Sequence, residues 1–188
     1  MVIGLGLVFG AWWLSQRNYQ YQGSLIEPPV PAADFELTDT NGQAFRLSEQ
    51  RGKIVLVFFG YTHCPDVCPV TLSQYKQLKA LLDEKAEQVR FVFITVDPER
   101  DTVEEMARYV PNFDSSFIGL TGSLADLEQV WKIYGVYAAR QPADEQGNYL
   151  VDHTARIYLV DQDGNWRLTF PFGMESSKIA SDLEYLLR

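Results

Sequence analysis

Residues 53–88 read KIVLVFFGYTHCPDVCPVTLSQYKQLKALLDEKAEQ, and the change of pattern within this stretch decides the fold. From Lys53 to Tyr61 the chain is almost wholly apolar, β-branched and aromatic, over a length too short for a buried helix. It reads as a central strand covered on both faces. After Pro69 the period changes: Leu72, Tyr75, Leu78 and Leu82 recur at helical spacing, with lysines and glutamates on the other face. That pattern predicts an amphipathic helix over residues 70–88. Cys64 and Cys68 stand between the two, so the order is strand, cysteine loop, helix.

Downstream, RFVFITVD (Arg90 to Asp97) repeats the buried-strand pattern, followed by the loop PERD and a short helix from Thr102 to Tyr109, capped by Thr102 or Asp101. Phe117 to Leu120 is a short strand, and Ser123 caps a helix reaching Tyr134. ARIYLVDQDGNWRLTF predicts two strands turning at Asp163-Gly164, and an amphipathic helix from Ser176 to Leu187 closes the chain. Upstream, FELTDTNGQAFRL (Phe35 to Leu47) flanks an Asn-Gly turn signal with apolar residues, as a β-hairpin does. Buried strands alternating with helices predict an α/β chain: a central mixed sheet with helices on both faces, preceded by that hairpin. This architecture matches the thioredoxin fold. It sets the cysteine loop at the carboxyl end of a central strand, where open α/β sheets build their sites.

Residues 34–188 are thus expected to form one domain. Residues 18–33 hold Pro28, Pro29 and Pro31, which forbid a helix and favour an extended tether. Residues 1–17 differ again: Met1 to Leu14 carries no charged side chain, and Trp12 and Trp13 lie where an interfacial aromatic belt would fall. The run is shorter than the ~20 residues that cross a hydrocarbon core. With no basic segment before it and no clear cleavage signal after it, it reads as the end of a membrane anchor whose beginning is missing, a cleaved signal peptide being the alternative.

The 188 residues carry a formal charge of −9, with no basic stripe to neutralise phosphates, which excludes nucleic acid as the expected partner. Two cysteines are too few for a disulfide scaffold, and both lie in one motif. They are placed for chemistry: unpaired N–H groups and the positive end of the helix dipole favour a thiolate there. The i, i+4 spacing lets two sulfurs converge on one ion or close a disulfide, although buried inert thiols share the same spacing. Two thiolates suit Cu(I), zinc or a redox couple, and a neutral imidazole as third ligand favours copper. The chain has two histidines. His63 adjoins Cys64 and should point away from it; His153 precedes an apolar strand, a place where a histidine is commonly structural.

The segments VFFGYTHCPDVCPVTL (57–72), FITVDPERDT (93–102), FIGLTGS (117–123) and VDHTARIYLVDQDG (151–164), in this order, resemble the Sco/SenC family of copper chaperones. The resemblance covers most of the chain from Phe35 onward. It implies a copper ion, Cu(I) in preference to Cu(II), held by Cys64, Cys68 and His153. It implies an N-terminal membrane anchor, with the domain on the outer (periplasmic or extracytoplasmic) side. It further implies a role in assembling the binuclear copper centre of cytochrome c oxidase, so that the copper-receiving subunit is the expected partner, with a copper donor or thiol reductant beside it. Asp97, in DPERDT, is expected to orient the site from behind or to receive a partner, unless it only caps the next helix.

The expected function is that of a metallochaperone rather than an enzyme. The alternative is a thiol-disulfide oxidoreductase, with Cys64 and Cys68 as its redox pair, that reduces cysteines of the oxidase subunit before copper arrives. The two separate at His153, which dithiol exchange does not need. A peroxidase reading rests on fold alone, and a purely structural module predicts no metal uptake.

Overall fold

The computed structural model describes residues 19–188. At its centre is β4 (Ile54–Gly60), every residue of which is buried. It pairs in parallel with β5 (Val89–Thr95) and antiparallel with β9 (Arg156–Val160). The full sheet adds β1 (Ser24–Pro31), β2 (Glu36–Asp39), β3 (Ala44–Arg46), β6 (Ile118–Thr121) and β10 (Asn165–Pro171), in the order β1-β10-β9-β4-β5-β6-β2-β3. Its β4–β5 and β5–β6 pairs are parallel and the others antiparallel, which makes the expected mixed sheet.

Among the described residues, four α-helices cover it: α1 (Val67–Leu82), α2 (Val103–Tyr109), α3 (Leu124–Ile133) and α4 (Ser176–Leu186). Side chains alternate across a strand, and β4 shows which helix lies on which face. Phe58 meets Phe93 at 6.1 Å between ring centroids, and Phe93 meets Tyr109 of α2 at 6.1 Å. On that face, a Cβ at Gly60 would touch the Cys68 sulfur of α1. Phe59 points the other way, to Tyr134 at the end of α3 (6.0 Å) and to Tyr158 (5.5 Å). Helices therefore flank both faces. The caps expected from sequence form as well: Thr102 Oγ1 accepts from Glu105 N at 3.3 Å and Ser123 Oγ from Asp126 N at 3.2 Å. β2 and β3 make the N-terminal hairpin, with Asp39 Oδ1 accepting from the Asn41 and Gln43 amides at 2.8 and 2.9 Å.

Three differences from the sequence reading have physical causes. The helix after the cysteines stops at Leu82, because Asp83 takes a left-handed conformation (φ 50°) and residues 83–88 tighten into a 3₁₀ turn. The stretch expected as a tether carries β1, an edge strand on β10, and its backbone is extended as the prolines require. Pro28 and Pro29 fall inside a register shift between Leu25 and Val30, where a missing N–H costs no ladder bond. Buried Asp182 of α4 fastens the preceding residues, accepting from Tyr19 Oη (2.8 Å), Gln22 N (3.0 Å) and Gly23 N (2.9 Å). Third, β7 (Ala138–Arg140) and β8 (Val151–His153) form a separate two-stranded ribbon. Strands of three residues are too short to show alternation in sequence. The anchor expected over residues 1–17 lies outside the described residues. Among those described, no helix is long and apolar enough to cross a membrane.

Candidate metal centre

The chain leaves β4 at Gly60 and turns through Tyr61, Thr62 and His63, with the Cys64 amide donating to the Tyr61 carbonyl at 3.3 Å. Cys68 follows in the first turn of α1, fully buried, while Cys64 is half-buried. The Cys68 amide points at Cys64 Sγ (3.5 Å), one of the free N–H groups of the helix start turned toward sulfur. His153 arrives from the other side at the end of β8, its Nε2 3.6 Å from Cys68 Sγ. One donor atom from each of Cys64, Cys68 and His153 lies within 4.8 Å of the other two. Residues 85 positions apart are thus brought to one point by the order of the sheet.

The surroundings orient each donor. His153 Nδ1 lies 3.3 Å from the Thr154 carbonyl. A carbonyl can only accept, so this contact puts the ring proton on Nδ1 and leaves the Nε2 lone pair facing the sulfurs. The imidazole packs edge-on against Phe58 (6.1 Å) and Tyr61 (5.8 Å). The thiols are unequal. Hydrogen bonding from Cys68 holds Cys64 far below the ordinary thiol range against the cost of burial, with further help from the Asp66 and Cys68 amides. Hydrogen bonding to Cys64, together with burial, pushes Cys68 up. The pair therefore gives up its first proton at Cys64.

The remaining polar residues stand apart from the donors. His63 turns away, as expected; its half-exposed ring puts Nδ1 2.9 Å from Thr62 Oγ1. Asp97 is 4% exposed and both its oxygens are engaged, Oδ1 by Tyr149 Oη at 2.8 Å and Oδ2 by Arg100 Nε. It is not among the donors that converge on one point. Asp101 is fully buried and accepts from Thr62 N (3.1 Å), Thr62 Oγ1 (2.6 Å) and Thr95 Oγ1 (2.7 Å), tying the cysteine loop to β5. Burial raises its carboxyl above the usual range even against these hydrogen bonds. The two threonines carried no sequence signal, since Thr62 stands singly in the turn after β4 and Thr95 singly at the end of β5. The donor set fits a soft ion: two sulfurs and one imidazole nitrogen converge, and the hard carboxylates are held elsewhere.

Comparison with known proteins agrees with this geometry. Residues 25–188 match the family model described as SCO1/SenC. The protein SCO2 homolog, mitochondrial, of Danio rerio is 41% identical over 85% of this chain and 60% of its own length. The SCO2-like protein RP587 of Rickettsia prowazekii is 33% identical over 95% of this chain and 89% of its own. The chain spans about 55–67% of the length of the vertebrate relatives it matches. Among solved structures, Bradyrhizobium japonicum ScoI with copper bound superposes with a TM-score of 0.75 at 42% identity, covering 81% of this chain and 97% of that one.

Proposed function

Since the chain belongs to the SCO1/SenC family, we propose that it binds one copper ion through Cys64, Cys68 and His153 and passes it to the copper-receiving subunit of cytochrome c oxidase. The observation that carries this reading is the convergence of two sulfurs and one imidazole nitrogen within 4.8 Å. The relative crystallised with copper is 42% identical to this chain. The role in oxidase assembly comes from the family resemblance. Residues 1–17 would tether the domain to the outer face of a membrane.

Transfer proceeds by ligand exchange. Cys64 is already disposed to be a thiolate and Cys68 loses its proton as Cu(I) enters; His153 Nε2 supplies the third donor. An acceptor thiolate replaces one donor at a time, so the ion is never free, and protons return to the cysteines as it leaves. Oxidation of the pair to a disulfide removes two of three donors, which couples copper binding to thiol redox state.

The unequal thiols also suit reduction of a disulfide. Cys64 thiolate attacks one sulfur of the partner, forming a mixed disulfide. Cys68 then releases the second partner thiol, and two electrons pass to the partner as the Cys64–Cys68 bond forms. His153→Ala separates the readings. Cu(I)-loaded protein is mixed with the reduced, metal-free copper domain of the oxidase subunit and the copper content of the re-isolated domain is measured; in parallel, reduced metal-free protein is mixed with the disulfide form of that domain and its new thiols are counted. Loss of copper transfer with retained disulfide reduction supports delivery. Transfer that is indifferent to His153 refutes it.

A further inference from the structure

His153 lies on the β7–β8 ribbon, which is paired to itself and not to the eight-stranded sheet that supports the cysteines. Only Thr154 and Ala155 link His153 to β9, which pairs with β4, so the sulfur-to-nitrogen distance is set by that link together with whatever grips the ribbon. Tyr149, buried two residues before β8, is sandwiched between two guanidinium groups, Arg100 Cζ at 3.6 Å and Arg140 Cζ at 3.7 Å from its ring centre. Its hydroxyl donates to Asp97, and its carbonyl accepts from Arg100 Nη1 at 3.0 Å. Arg100 in turn donates to Asp97 through Nε. The same guanidinium lies 5.6 Å from the ring of Tyr61, which packs edge-on against His153 at 5.8 Å. Arg140, paired with His153's own ribbon, is tied back to Glu99 at 2.8 Å. The segment Asp97 to Arg100 thus grips the ribbon from the side of the sheet that carries β5.

We propose that Arg100 and Tyr149 are positioning residues for His153, holding the ribbon against the 97–100 segment so that Nε2 meets the two sulfurs. The inference rests on the copper reading of the site. A planar guanidinium both stacks on the tyrosine and hydrogen-bonds its carbonyl, which an ammonium cannot do together. Nothing in this contact touches either sulfur.

The test uses Arg100→Lys and Tyr149→Leu, with Tyr149→Phe as the conservative variant that keeps the stacked ring and loses only the hydroxyl. Two readouts are taken on the reduced protein: the Tyr61–His153 inter-ring nuclear Overhauser effect without metal, and anaerobic Cu(I) affinity by competition with a chromophoric chelator. Arg100→Lys and Tyr149→Leu should lose the inter-ring signal and about 10–100-fold in affinity, as changes behind metal ligands do. Tyr149→Phe should keep the signal and most of the affinity, and Cys64 alkylation should be unchanged in all three. An intact inter-ring signal with unchanged affinity in Arg100→Lys and Tyr149→Leu overturns the proposal. If wild-type protein takes up no copper, the copper reading falls, and the inter-ring signal alone decides whether these residues position His153.

Discussion

Gly60→Ala tests how tightly the sheet fixes the metal centre. Gly60 ends β4, and no positive φ forces glycine there, so alanine is acceptable to the backbone. The constraint is space: an added Cβ would lie 2.7 Å from Cys68 Sγ, 2.7 Å from Phe93 Cε2 and 3.0 Å from Phe58 Cε1. Unstrained heavy-atom contacts lie at about 3.5–4.0 Å, so the sulfur and the ring must each retreat by about 1 Å. Both belong to side chains with no solvent exposure, and His153 Nε2 lies 3.6 Å from the same sulfur. Overpacking of this kind costs about 1–3 kcal/mol. Urea denaturation of reduced, metal-free protein should show that loss. Copper affinity should fall by about tenfold for each 1.4 kcal/mol that the displaced sulfur forfeits. Gly122→Ala is the control, because its Cβ would meet only the Leu37 Cδ2 methyl at 3.1 Å. A Gly60→Ala protein with wild-type denaturation midpoint and wild-type copper affinity would refute the packing argument.

Asp101→Asn sets an amide against the donors Thr62 N, Thr62 Oγ1 and Thr95 Oγ1. It should cost about 1–3 kcal/mol by urea denaturation and broaden the amide resonances of residues 61–64. Iodoacetamide at pH 6 should modify Cys64 before Cys68, because Cys64 is held down and Cys68 pushed up; peptide mapping after brief exposure reads the order. Asp114 is held at about 2: burial opposes ionisation, and hydrogen bonds from Lys79 and Ser116 more than offset it. The depressed folded value means that its stabilisation is present above the unfolded value of 3.8 and is lost as pH falls through about 2. Asp114→Asn should therefore cost about 1 kcal/mol at pH 7, allowing for the exposure of Lys79, and the gap between variant and wild-type denaturation should narrow below pH 4.

The central strand, the cysteine loop and α1 were legible because one apolar run, too short for a helix, gives way to a 3.6-residue period at the cysteines. The hairpin and the caps at Thr102 and Ser123 were legible because their signals are local. β1 was not, because prolines argue against a strand in general and an edge position with a register shift is a tertiary fact. At the site, Cys64 and Cys68 declare themselves by spacing, whereas the convergence of His153 depends on how β4, β9 and the β7–β8 ribbon meet. Asp97 was expected to orient the site or receive a partner. The structure turns its carboxylate to Arg100 and Tyr149, and Tyr149 carried no sequence signal because its hydrogen-bond partners are 49 and 52 residues away.

Cys64, Cys68 and His153 together predict a mononuclear site of two sulfurs and one nitrogen. X-ray absorption of the reduced protein, loaded anaerobically with Cu(I), reads that donor set. One copper per chain, with two sulfur scatterers and one imidazole nitrogen that disappears in His153→Ala, is the predicted result. An all-sulfur shell, or a spectrum unchanged by His153→Ala, would contradict it.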